Sequence, residues 1–146
     1  MNIQVVYCPI GVGTFHLESA QDQFEKSVSL LTRLCPDVVC PEKMLLSIPV
    51  LQTYLSDKHP DLIVLQNITF ANAAYMQEVL RHYNGPVLLW TLREPVIDGG
   101  RLRLNSLTGA YSAANTLRAF SNRPVSASKI QKILEAGRLA PTAKNL

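Results

Sequence analysis

The sequence predicts an α/β fold, a four-stranded parallel sheet enclosed by helices in a small three-layer domain, with a helical extension at the C-terminal end. Three observations predict it. Apolar runs of strand length alternate with helix-period segments over the first 120 residues. Each run is too uniformly apolar to leave one face wet, as expected of strands in a parallel sheet covered on both sides by right-handed crossovers. The length, 146 residues with 47% apolar and 17% charged side chains, suffices for one cored domain and a short appendage and is unlike a disordered chain.

The elements follow in order. Ile3 to Ile10 (IQVVYCPI) is β-rich and ends at Gly11, which predicts a buried first strand. Over residues 14 to 34 the period changes: Phe15, Leu17, Phe24, Val28, Leu31 and Leu34 recur at helical spacing with Glu18, Asp22, Glu25, Lys26 and Arg33 between them, which predicts an amphipathic helix. Pro36 stops it, and Asp37 to Cys40 (DVVC) is read as a short second strand. Residues 47 to 58 are a weaker helix, opened by Ser47 with Pro49 in its first turn. After the His59-Pro60-Asp61 break, Leu62 to Leu65 (LIVL) is the clearest strand, followed at once by Gln66 and Asn67. Ala71 to Tyr83 is helical and closes at Asn84-Gly85, and Pro86 to Leu92 is the fourth strand. A loop with Pro95, Gly99 and Gly100 leads to a helix opened by Asn105-Ser106 and running through Phe120. Ser121 to Pro124 is a polar break, and Ser126 to Gly137 predicts a last helix. The predicted division is therefore a flavodoxin-like or Rossmann-like domain over 1–120 and a helical tail over 121–146.

Composition narrows the function classes. No apolar run approaches the roughly 18 residues of a bilayer crossing, and Met1 to Gln4 has no basic leader pattern, so neither membrane nor export is expected and the cytoplasm is the expected compartment. The net charge of +3 combines −3 over residues 1–90 with +6 over 91–146. Without a groove-reading motif or clustered aromatics, that basic end is read as a solvated surface and no nucleic-acid partner is expected. Cys8, Cys35 and Cys40 are odd in number and lack zinc spacing; they are read as reduced, mainly buried small residues.

In an open parallel sheet, ligands collect beyond the carboxyl ends of the strands. That rule selects Pro9, Gly11, Gly13, Thr14 and Phe15 after the first strand, Gln66, Asn67 and Thr69 after the third, Trp90, Arg93 and Glu94 after the fourth, and Asn105, Ser106 and Gly109 at the next helix. Gly11-Val12-Gly13 is not a dinucleotide fingerprint, since position 16 is His, and no phosphate-loop lysine follows. Gln66-Asn67 is better placed, because amides at a strand end can orient sugar hydroxyls; the alternative is a turn that caps the next helix. The acids elsewhere are read as solvated, His16, His59 and His82 as separate surface residues, and no nucleophile elbow is present. No catalytic or metal-ligating set is expected in this chain.

Asp61-Leu62-Ile63-Val64-Leu65-Gln66-Asn67-Ile68-Thr69-Phe70, then Gly85 to Trp90, Arg93-Glu94-Pro95 and Gly100 to Gly109 (GRLRLNSLTG), resembles the N-terminal region of the L-fucose and L-arabinose isomerase superfamily. The strand-helix series before it is compatible with the same domain, so the resemblance covers about residues 1–120. It implies aldose-ketose interconversion with a divalent metal, usually manganese, whose ligands and proton-transfer residues lie in later domains. It also implies that this first domain helps close the sugar site, often across a subunit interface, with Gln66, Asn67, Trp90, Arg93, Glu94, Asn105 and Ser106 as lining residues and a homo-oligomer as the natural assembly. Structural alternatives stand beside these roles: Trp90 as core, Arg93-Glu94 as a surface ion pair, Asn105-Ser106 as a helix cap.

The tail is similar to a different family. Arg123-Pro124-Val125-Ser126 and Ile133 to Asn145 (ILEAGRLAPTAKN) resemble the N-terminal segment of the nitroreductases, enzymes that use FMN and a nicotinamide donor. The family's phosphate motif would fall on Asn115 to Phe120, where Arg118 and Phe120 fit, Thr116 replaces a serine and the first arginine is missing. This resemblance implies a flavin-binding remnant with Arg118 and Asn145 as FMN contacts. The expectation carried forward is a truncated or noncatalytic sugar-isomerase domain, with the flavin remnant and a protein-interaction module as alternatives.

Overall fold

The computed structural model describes residues 3–120. Three parallel strands, β1 (Val5–Ile10), β2 (Leu62–Asn67) and β3 (Val87–Thr91), lie in the order β1-β2-β3. Four helices accompany them: α1 (Leu17–Leu34), α2 (Ile48–Leu55), α3 (Ala73–His82) and α4 (Ser106–Phe120). In register, Ile10 lies opposite Asn67 and Asn67 opposite Thr91, so all three strands end at one edge. The predicted helix at 126–137 and the flavin contact at Asn145 fall outside the described residues.

The predicted second strand is corrected. Val38 to Leu45 does run beside the free edge of β1, but only as isolated parallel bridges, Val39 with Val6 and Leu45 with Ile10. The amide of Tyr7 donates to the Val39 carbonyl and that of Val39 to the Val5 carbonyl, both at 2.9 Å. The next rung would need amide donors from residues 9 and 41, and both are proline. The ladder therefore breaks for two positions and resumes with the Leu45 amide donating to the Pro9 carbonyl at 2.8 Å. Sheet pairing, unlike apolar pattern, requires donors on both chains.

Side chains alternate across the sheet as a two-residue period demands. Val6, Cys8 and Ile10 of β1 and Ile63 and Leu65 of β2 pack with Leu51, Leu55, Tyr75, Met76, Val79 and Ala113 from α2, α3 and α4. On the opposite face Tyr7 and Val64 pack with Ala20 and Phe24 of α1 and with Ile68 and Leu104. This gives the three layers expected. It also corrects the expectation that every strand is dry: β3 has a neighbour on one side only, and its Leu88 is 53% exposed.

Helix ends shift by a few residues from the sequence reading. His16 caps α1, its Nδ1 accepting the Ser19 amide at 3.2 Å; Ser47 caps α2 and Asn72 caps α3, accepting the Ala74 amide at 3.1 Å. Glu78 departs from the expectation of solvated acids. It is 3% exposed on α3, with His82 Nε2 at 2.9 Å and Arg81 at 3.0 Å, so His82 is at the surface as expected but paired rather than isolated.

Candidate functional site

The carboxyl edge of the sheet divides into a locked side and an open side. On the locked side, the Val12 amide donates to Thr69 Oγ1 at 2.8 Å, and the Tyr75 hydroxyl donates to the Gly11 carbonyl at 2.9 Å. A Cβ on Gly11 would collide with Thr69 Oγ1, so this close approach requires glycine. Gln66 belongs to the same interior. It is fully buried, accepts from the Tyr7 hydroxyl and donates to Ser27 Oγ at 3.0 Å, tying β2 to β1 and α1. Burial also pushes the Tyr7 phenol well above its ordinary range.

Asn67 ends β2 on the opposite face and is 1% exposed, with neither side-chain polar atom hydrogen-bonded to another described residue. It lies against α4: a Cβ on Gly109 would sit 2.6 Å from Asn67 Nδ2 and 3.0 Å from the Ala71 amide nitrogen. Ser106 joins three elements. Its Oγ donates to the Asn67 carbonyl, accepts the Leu92 amide at 2.8 Å and pairs with Thr91 Oγ1 at 2.9 Å. Trp90 is half-buried in the α1-side core, its ring 6.4 Å from that of Tyr7.

The open side is the connection from β3 to α4. Glu94 turns inward: its carboxylate accepts the amides of Arg103 at 2.6 Å, Leu104 at 2.9 Å and Asn105 at 3.0 Å. Three charge-assisted bonds to one carboxylate fix the end of the loop. The alternative reading of Arg93-Glu94 as a surface ion pair is not met, since no such pair forms among the described residues, and Arg93 is exposed. Asn105 holds a left-handed backbone at φ 52°, which asparagine tolerates, and its Oδ1 accepts from Thr108 Oγ1 at 2.7 Å in the first turn of α4. Gln23 of α1 with Arg93, Glu94, Pro95 and Ile97 lines a cavity of about 550 Å³ beside this loop.

The structure thus brings all seven predicted lining residues to one edge, but by different routes. Arg93, Glu94 and Asn105 border the open loop, Trp90 lies just beneath it, and Gln66, Asn67 and Ser106 hold the strand ends from inside. Arg118, the other flavin candidate, is exposed in the last turn of α4. Sequence reasoning missed Tyr7 and Ser27 as partners of Gln66, because their pairing depends on register and helix placement. It also missed Arg101, whose guanidinium reaches the Thr14 carbonyl at 3.3 Å and stacks 5.2 Å from the Phe15 ring. The basic excess after residue 90 was the available signal.

Of the cysteines, Cys8 is buried and its thiol pushed up to about 12 by burial; Cys35 and Cys40 are half-buried. No group of three or more His, Cys, Asp or Glu side chains converges on a metal-sized site among the described residues. None of the described helices is long and apolar enough to cross a membrane.

The chain is 66% identical over 119 residues to a sulfoquinovose isomerase of Clostridium sp. (strain MSTE9), a match of 82% of this chain and 27% of that protein. It is 41% identical over 120 residues to the sulfoquinovose isomerase of Priestia aryabhattai and 36% identical over 122 residues to that of Alkalicoccus urumqiensis. The chain spans about a quarter of the length of these curated relatives. No family model matches it, and no solved structure matches it.

Proposed function

We propose that the chain is the N-terminal α/β domain of an aldose-ketose isomerase of the L-fucose and L-arabinose type that acts on sulfoquinovose, and that its carboxyl edge forms one wall of the sugar site. The observation that carries this reading is the 66% identity over 119 residues to a sulfoquinovose isomerase. The geometry supports it: ligands of open parallel sheets sit beyond the strand ends, and here those ends are locked from inside while the β3–α4 loop faces outward. Arg93, Glu94, Asn105 and Trp90 form the lining. Gln66, Asn67 and Ser106 set its position.

The described residues do not provide the donor set that a manganese ion needs. Proton transfer belongs to the remainder of the protein. That remainder, or a second subunit, covers apolar side chains exposed here, among them Leu88 at the open edge of the sheet and Leu107 and Tyr111 on α4. The reading places the protein in the cytoplasm, where its three thiols stay reduced.

A chimera tests the reading. Residues 1–120 of this chain replace the matching quarter of the Clostridium sulfoquinovose isomerase, and turnover of sulfoquinovose to its ketose is measured. Activity within about tenfold of the parent is expected. A folded chimera with the parent's subunit composition and no turnover would sink the proposal.

A further inference from the structure

We infer that the β3–α4 loop is an anion-binding element, and that its arginines hold a tetrahedral anionic group, such as a sulfonate, at one end of the sugar. The inference rests on the carbohydrate reading and adds the chemical class of the group bound. Between β3 and α4 the chain carries Arg93, Arg101 and Arg103. None of the three has a carboxylate within ion-pair distance among the described residues; Arg33, Lys43 and Arg118 are likewise unpaired but lie singly on other elements. The acid nearest in sequence, Glu94, has both oxygens taken by three backbone amides, which leaves it poorly placed to chelate a guanidinium. Asp98, the other acid of the loop, is exposed and accepts the Gly100 amide at 2.9 Å.

The arginines are also placed rather than merely present. Arg101 is held by the Thr14 carbonyl and the Phe15 ring, at the loop that enters α1. Arg103 is fixed through its backbone, its carbonyl accepting the His16 amide at 3.0 Å and its amide bound by Glu94. Arg93 lines the cavity of about 550 Å³ on the α1 side of the loop, a volume ample for a monosaccharide. A guanidinium presents planar paired donors that suit sulfonate and phosphate oxygens, and it keeps its charge at every working pH.

The test is a titration of the 146-residue chain, followed by backbone amide chemical shifts, with sulfoquinovose, glucose 6-phosphate, glucose and methanesulfonate. Methanesulfonate should shift amides of residues 14–16 and 93–103. Sulfoquinovose should shift the same set at lower concentration, and R93Q and R101Q should each weaken it by about tenfold while R33Q, at the far end of α1, changes nothing. Binding should also weaken as salt is raised. Tighter binding of sulfoquinovose than of glucose 6-phosphate assigns the sulfonate, and the reverse order assigns a phosphate; either upholds an anion element. Equal binding of glucose and both charged sugars, no response to methanesulfonate, or unchanged affinity in R93Q and R101Q would overturn it. The chimera distinguishes the two failures, since an active chimera with an unresponsive loop removes the anion assignment alone. Methanesulfonate binding beside an inactive chimera removes the sugar-domain reading instead.

Discussion

β2 and β3 read alike in the sequence, LIVLQN and VLLWT, and occupy opposite situations in the molecule. β2 is paired on both sides and five of its six residues are buried; β3 is paired on one side and none of its residues is buried. The difference shows that apolar composition qualifies a segment as a strand, while its place in the sheet decides how dry it is. It also separates two jobs. The β1 and β2 ends are closed by Thr69, Tyr75 and Gln66, whereas β3 leads into a loop whose Arg93 and Arg101 are exposed. The rigid half positions, and the open half presents.

The sharpest test of that comparison replaces one leucine in each strand. Leu65→Ala, at a fully buried site, should lower the unfolding free energy by about 2–5 kcal/mol. Leu88→Ala should change it by no more than about 0.5 kcal/mol, because a half-exposed side chain leaves little cavity. Urea denaturation of both variants decides, and equal losses would mean that β3 is covered in solution. Next in size is the anchor of the open loop. Glu94→Ala removes the acceptor of three backbone amides and should cost about 1.5–3 kcal/mol, with faster hydrogen exchange at Arg103, Leu104 and Asn105. Unchanged exchange there would show that the loop is held by something else.

The smallest effect concerns the locked half and appears only at alkaline pH. The Cys8 thiol is raised from 9.0 to about 12 by burial, so the folded state keeps a proton that the unfolded state releases first. The thiol's contribution to stability should be level below about pH 9 and fall as pH rises from there toward 12, by about 1.4 kcal/mol at pH 10. The phenols of buried Tyr7 and half-buried Tyr54, also raised, add loss in the same direction above their ordinary range. Cys8→Ala should flatten the first part of that decline, measured as the urea midpoint against pH. An equally steep decline in the variant would assign the effect to the phenols alone.

Much of the fold was legible because its signals are local. The helical period of α1, the Ser47 cap of α2 and the LIVL run of β2 each depend on neighbours in the chain. The edge that carries the candidate site was legible for the same reason, since the order of strands and helices implies where strands end. The failed fourth strand was not: DVVC has the pattern of a strand, and only its alignment against β1 puts Pro9 and Pro41 at the two donor positions of the next rung and removes the hydrogen bonds. Gln66 shows the same limit inside the site. Its position at a strand end suggested a lining amide, yet the phenol of Tyr7 and the hydroxyl of Ser27, 59 and 39 residues away, draw it into the core.

By itself the sequence determined the alternation of strands and helices and the Ser47 cap of α2, because burial of a periodic apolar face and satisfaction of a helix end are settled within a dozen residues. Tertiary structure alone decided which strand is central and which amide is buried. It also decided that Glu94 binds backbone rather than a neighbouring arginine. Those outcomes depend on which distant groups meet, and a hydrogen bond forms only where a donor and an acceptor are brought together.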